Sequence, residues 1–216
     1  MIETLLKKPH EKETLQFIED FLSTSTNQED NITVNLFKTD VLTTLADFKQ
    51  AISLLYTLDN EVKFQNSPVI KDTINKKLID LYIITKQYNK AHIEIEKRRL
   101  QLPILKNYEY FLDVIKLKKA KNESYENEIL LALEDQIPPE MRQQFLKEQL
   151  NLAIERKEYK NVTKTIAEMR KLLVLPALEN ELINIEAYVM FSTNDFEGLL
   201  QFESIDDVTL KTYYWL

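Results

Sequence analysis

An all-α fold, a right-handed solenoid of about five antiparallel helix pairs plus a terminal unpaired helix, is what this 216-residue sequence predicts. Three observations point there: one glycine in the whole chain (Gly198), an aromatic-centred pattern that keeps returning, and prolines set between its recurrences. Parallel-sheet enzymes, phosphate loops and tight hairpins lean on glycine for positive φ or close backbone approach. A chain with a single glycine is built from helices joined by short polar turns. Hydrophobic residues at 44% and charged residues at 29% place it among globular rather than disordered chains.

The returning pattern is a polar residue, an aromatic, two more residues and then a small or apolar one. It reads "DFKQA" ending at Ala51, "QYNKA" at Ala91, "EYKNV" at Val162 and "DFEGL" at Leu199, with a weaker "SYENE" at Glu128. The anchor aromatics Phe48, Tyr88, Tyr125, Tyr159 and Phe196 stand 40, 37, 34 and 37 residues apart. A period in the thirties with helical patterning on both sides marks stacked helical hairpins. Before each anchor runs one apolar-periodic segment, such as Ile74, Leu78, Leu81, Tyr82 and Thr85, and after it another, such as Ala91, Ile95 and Leu100. Pro68, Pro103, Pro138 with Pro139, and Pro176 follow, where one pair stops and the next starts. Each aromatic, Tyr88 among them, is expected to be largely buried as a wedge between helices.

Taken in order, the predicted helices are Glu11 to Ser23, after a short one at Ile2 to Lys7, then a polar loop, "STSTNQEDN". Pairs follow at 32–46 with 48–64, 68–86 with 88–101, 104–121 with 125–136, 139–157 with 159–174, and 176–192 with 195–203. Residues 1–30 thus form an N-terminal helical segment and loop, and 31–216 the repeat domain. A last helix, "DDVTLKTYYWL", begins near Asp206, a suitable N-cap, and reaches Leu216 in mid-pattern. The expectation is that the repeat domain is truncated at this end and belongs to a longer protein.

Residues 72–103 carry the pattern best, with Leu78, Tyr82, Tyr88, Ala91 and Pro103. This arrangement resembles the tetratricopeptide repeat, in degenerate form: Ile79 occupies a position where the family has a small residue, and Glu128 replaces an alanine. Residues 143–176 keep Ala153, Tyr159 and Val162, and 180–203 keep Ala187 and Phe196. The resemblance implies a peptide-binding concave face lined by the first helix of each pair. Carried over position by position, it marks Lys76 and Asp80, Lys147 and Asn151, and Asn184 and Tyr188 as partner-binding residues. One subclass grips a C-terminal carboxylate with Lys and Asn; here the matching positions are Leu36 and Asp40, and an aspartate repels that ligand.

Catalysis is not expected. There is no cysteine, and the two histidines, His10 and His92, have no histidine partner at metal spacing, so no metal and no cofactor are expected. Glu94 with Glu96, and Glu179 with Glu181, read as solvated faces because i and i+2 residues on a helix do not face each other. The basic stretches "EKRRL" (Lys97, Arg98, Arg99) and "KLKKAK" (Lys116, Lys118, Lys119, Lys121) fit cations gathered at helix C-termini, with contact to phosphate or an acidic peptide as the alternative.

A net charge of −7 weighs against nucleic acid as partner. No signal peptide or membrane span is read, so a cytoplasmic chain is expected, and abundant Asn, Lys and Ile suggest an AT-rich, bacterial source. The expected function is a non-catalytic scaffold that binds protein or peptide. Two alternatives stand beside it: a peptide-sensing regulatory domain of a bacterial signalling protein with an output domain after Leu216, and a self-association module pairing two chains through the C-terminal end.

Overall fold

Helices begin in this chain wherever a proline, an Asx side chain or an anchor aromatic opens them. A computed structural model describes residues 11–62, 67–101, 107–135, 137–172 and 176–199. Within these the helices are α1 (Glu11–Thr24), α2 (Gln28–Thr44), α3 (Phe48–Glu61), α4 (Pro68–Ile84), α5 (Tyr88–Gln101), α6 (Asn107–Lys121), α7 (Glu126–Glu134), α8 (Pro139–Glu155), α9 (Tyr159–Met169), α10 (Pro176–Ser192) and α11 (Phe196–Leu199). No strand occurs among the described residues. Pro68 and Pro139 stand in the first turns of α4 and α8, where a missing N–H costs nothing.

The expected polar loop before α2 is shorter than the sequence suggests. Asn27 accepts hydrogen bonds from the Glu29 and Asp30 amides, which starts α2 at Gln28 instead of residue 32. Glu29 and Asp30 in the first turn complement the helix dipole. The short helix read at Ile2 to Lys7, the aromatic helix after Asp206 and Pro103 lie outside the described residues.

The chain divides into two compact units, Met1–Ser124 and Tyr125–Leu216. The division falls inside the third predicted pair, with α6 in one unit and α7 in the other. Within the first unit α2 packs on α3 and α4 on α5, while α3 also meets α4 and α5 meets α6. In the second unit α7 packs on α8, α8 on α9, α9 on α10 and α10 on α11. Each unit has its own apolar core. Leu55, Ile74, Leu78, Ile79, Tyr82 and Ile95 centre the first; Leu146, Leu150, Val162, Ile166 and Leu182 centre the second. The buried positions of α4 spread over more than one stripe because that helix is covered by α3, α5 and α6.

Among the described residues five turns share one geometry, and no glycine takes part in them. Ala46, Lys86, Asn122, Lys157 and Asn194 all adopt φ between 57° and 60°. In each case the left-handed residue donates its N–H to a carbonyl three residues back, and the next residue donates to one five back. Lys86 bonds Ile83 at 3.0 Å and Gln87 bonds Tyr82 at 2.8 Å; Lys157 bonds Ile154 at 3.0 Å and Glu158 bonds Ala153 at 2.9 Å. This is the Schellman ending of a helix. Its last residue also opens the next helix: Asp47 caps α3 by accepting from the Gln50 amide at 3.1 Å. Gly198 instead serves a close approach, because a Cβ there would meet the Asp195 carboxylate, which caps α11, at 2.7 Å.

The anchor aromatics therefore occupy the mouth of each turn, and their burial differs from the expectation. Tyr125 is buried, but Phe48, Tyr88 and Tyr159 are only half-buried and Phe196 is 57% exposed. Tyr88 lies at the end of its helix pair, where its hydroxyl donates to the Ala120 carbonyl at 2.9 Å. The fully buried residue is the one three positions on: Ala51, Ala91 and Val162, each at 0% exposure. The weak copy has one more residue between turn and helix. Tyr125 caps α7 without a side-chain bond, and Ile129 takes the buried place that Glu128 could not.

A left-handed conformation costs a non-glycine residue roughly 1–2 kcal/mol, partly offset in glycine by chain entropy. Lys86→Gly is therefore expected to stabilise the protein by about 0.5–1 kcal/mol. Urea denaturation checks it, and an unchanged or lowered midpoint contradicts the role assigned to the turn.

Candidate functional site

The six residues marked on first helices sit on α4, α8 and α10, and most are already engaged within the fold. Lys76 is exposed and pairs with Asp72 at 2.9 Å, with Glu109 at 3.6 Å. Asp80 accepts from Lys116 of α6. Lys147 reaches Glu181 of α10 at 2.9 Å. Asp40 on α2 accepts from Lys77 on α4, so the charge read as repelling a carboxylate is matched internally. The same kind of ion pair thus links successive first helices three times. Asn151 is exposed, Asn184 is half-buried with Oδ1 shielded and not hydrogen-bonded, and Tyr188 meets Tyr159 edge-on at 6.5 Å between ring centres.

Of the basic stretch 97–99, Lys97 and Arg98 turn inward while Arg99 stays exposed. Arg98 belongs to the last turn of α5, as a dipole argument requires, yet its guanidinium is 1% exposed. It donates to Asp72 of α4 at 2.6 Å, to Glu109 of α6 at 2.7 Å and to Asp113 of α6. One cation therefore ties three helices. Burial pushes the Asp113 carboxyl up, against the pull of Arg98. At Asp72 burial also pushes upward, but the bonds from Arg98 and Lys76 prevail and hold it below the ordinary range. Arg99 lies over the Tyr110 ring at 4.4 Å. Lys118, Lys119 and Lys121, by contrast, do close the last turn of α6.

A second polar layer runs between α3, α4 and α5. Asp59 accepts from Lys71 at 2.7 Å and from Lys97 at 3.0 Å. Burial raises its carboxyl, but those hydrogen bonds and charges outweigh burial and leave it below 3.8. Lys97 also lies 3.4 Å from Glu94 Oε2, an ion pair without a hydrogen bond. Glu94 is buried, not solvated as its spacing from Glu96 suggests, because α5 is covered on that side. Glu96 accepts from the Tyr110 hydroxyl at 2.9 Å, and Glu179 from Arg170 at 2.9 Å. Tyr56 and Tyr82 share a hydroxyl–hydroxyl bond; burial first, then Tyr56 and nearby Glu94, pushes the Tyr82 phenol up. Asn75 is fully buried with neither side-chain polar atom hydrogen-bonded.

At the turn end of this layer a crevice of about 380 Å³ opens beside Phe48, Lys49, Ile52, Tyr82, Thr85, Gln87 and Lys90. The Lys90 ammonium stands 5.5 Å from the centre of the Tyr82 ring. Its walls are aromatic and aliphatic, its rim carries two ammonium groups, and no carboxylate lines it among the described residues. Such a surface can hold an apolar group that carries negative charge. His92 is exposed on α5, and His10 lies outside the described residues. Among the described residues no cluster of His, Asp or Glu could hold a metal, and no helix is long and apolar enough to cross a membrane.

Comparison with family models, with curated proteins and with solved structures found no match to this chain.

Two outcomes follow from the ion networks. Arg98→Met strands three carboxylates and is expected to lower stability by about 3–5 kcal/mol, read from urea denaturation at pH 7; a loss under about 1 kcal/mol would place Arg98 among ordinary surface pairs. The Asp59 carboxyl sits below its unfolded value of 3.8, so its contribution is complete above that pH and is lost as pH falls through the folded value. Stability should fall below about pH 4, and Asp59→Asn should flatten that part of the profile; an unchanged slope contradicts the assignment.

Proposed function

We propose that this chain is a non-catalytic helical-repeat scaffold that binds a protein or peptide, its helix pairs stacking as a right-handed, tetratricopeptide-like solenoid. One observation supports the reading above all: a single turn geometry recurs five times, in four of them two residues before the anchor aromatic and in the fifth three. Chains assembled from one repeated unit present extended surfaces suited to long segments of a partner. The apolar side chains left exposed, Phe17, Val69, Ile93 and Leu100 among them, fit adhesion to such a segment. On the first-helix face, exposed Asn151, half-buried Asn184 and Tyr188, which keeps its edge contact with Tyr159, would meet it, while Lys76, Asp80 and Lys147 would serve it through the pairs they already make.

Peptide display against the immobilised 216-residue chain tests the reading. Selected peptides should bind in calorimetry, and Asn151→Ala with Tyr188→Ala should weaken them by about tenfold, near 1.4 kcal/mol. A selection that enriches no sequence overturns the scaffold reading. Binding indifferent to both substitutions moves the site away from the first-helix face.

A further inference from the structure

The two units contain the same crevice at equivalent positions, and its chemistry differs between them. Counted from the aromatic that opens the following helix, Tyr88 or Tyr159, Tyr82 corresponds to Ala153, Thr85 to Arg156, Gln87 to Glu158 and Lys90 to Asn161. Counted from the start of the preceding helix, Phe48 corresponds to Glu126 and Ile52 to Leu130. In the second unit Arg156 donates to Glu126 across the crevice, which shrinks to about 40 Å³, room for about a single water. In the first unit the two places of that pair hold Thr85 and Phe48, neither of them charged. That crevice is half-open, with a volume of about 380 Å³.

We propose that the crevice at Lys49, Thr85 and Lys90 is a docking site for an acidic side chain of a partner polypeptide. Charge complementarity selects the occupant: two ammonium groups, no lining carboxylate among the described residues, and the Tyr82 and Ile52 walls for the aliphatic stem. Lys90, held over the Tyr82 ring, is positioned to close on the carboxylate from one side and Lys49 from the other. The site lies on the turns that open α3 and α5, apart from the first-helix residues Lys76 and Asp80. This inference rests on the scaffold reading and adds to it the chemistry of one contact.

The test uses the full chain with its lysines reductively ¹³C-methylated, which preserves their charge, and follows Lys49 and Lys90 by NMR. The probe is a blocked pentapeptide with a central glutamate between leucines, its glutamine counterpart serving as control. The glutamate peptide should shift both lysine signals saturably, with affinity at least about tenfold above the control. Lys49→Glu combined with Lys90→Glu reverses the charge of the rim; it should abolish the response and leave the melting temperature unchanged. Should that variant not fold, Lys49→Gln with Lys90→Gln, both at exposed positions, must fold and lose the binding. Equal response to the two peptides, unmoved lysine signals or retained binding in the folded variant overturns the proposal. Free glutarate binding as tightly as the peptide overturns its polypeptide part. Display-selected peptides that ignore Lys49→Gln with Lys90→Gln leave the scaffold reading standing while this inference falls.

Discussion

Arg98 is the constraint on which the first unit depends. A guanidinium taken almost wholly out of water survives only if its donors are met, and three carboxylates from α4 and α6 meet them. The geometry fixes where α5 stands along both neighbours, since a shift of one helical turn would leave a buried charge alone. Apolar packing of Leu78, Ile79, Ile95 and Leu117 drives the three helices together without much choice of register. The ion cluster supplies that choice. Lys71, Asp59 and Lys97 repeat the logic between α3, α4 and α5. The stack of helices in this unit is thus greased by hydrocarbon and indexed by charge.

The second unit solves the same problem differently. Its core of Leu146, Leu150, Val162, Ile166 and Leu182 is apolar, and its ion pairs are exposed ones such as Arg170 with Glu179 and Glu186. Exposed pairs are screened and contribute little each. Register there falls to side-chain shape and to the turns. The contrast explains how one repeated pattern can carry two kinds of interior.

Much of the fold was legible because it depends on local rules. Proline in the first turn, apolar spacing and the aromatic at the turn placed the described helices to within a few residues. Asn27 was missed for a simple reason: "STSTNQEDN" offers several capping side chains, and only the packing of α1 and α2 selects one. The left-handed turns were hidden because Ala46, Lys86 and Lys157 give no sign of positive φ. The ion clusters were hidden more deeply. Arg98 meets residues 26, 11 and 15 positions away, and no periodicity announces which face of α5 will be covered. For the same reason Lys76, Asp80 and Lys147 could be placed on helices from the sequence, but not seen to be paired. The crevice did leave a trace. Aligning the repeats on Tyr88 and Tyr159 sets Thr85 against Arg156, a difference readable without coordinates.

Helices that touch mainly their neighbours in the chain close only short loops as they form. Such topologies fold fast, because little chain entropy is lost before each contact is made. They also open piecemeal, since each helix is held mainly by the helices next to it in the chain. The half-covered aromatics at the turns, with Phe196 the most exposed, mark where such opening starts. In hydrogen exchange the amides of α4, flanked by α3, α5 and α6, would be the slowest of the first unit, and protection would fade outward helix by helix instead of vanishing at once.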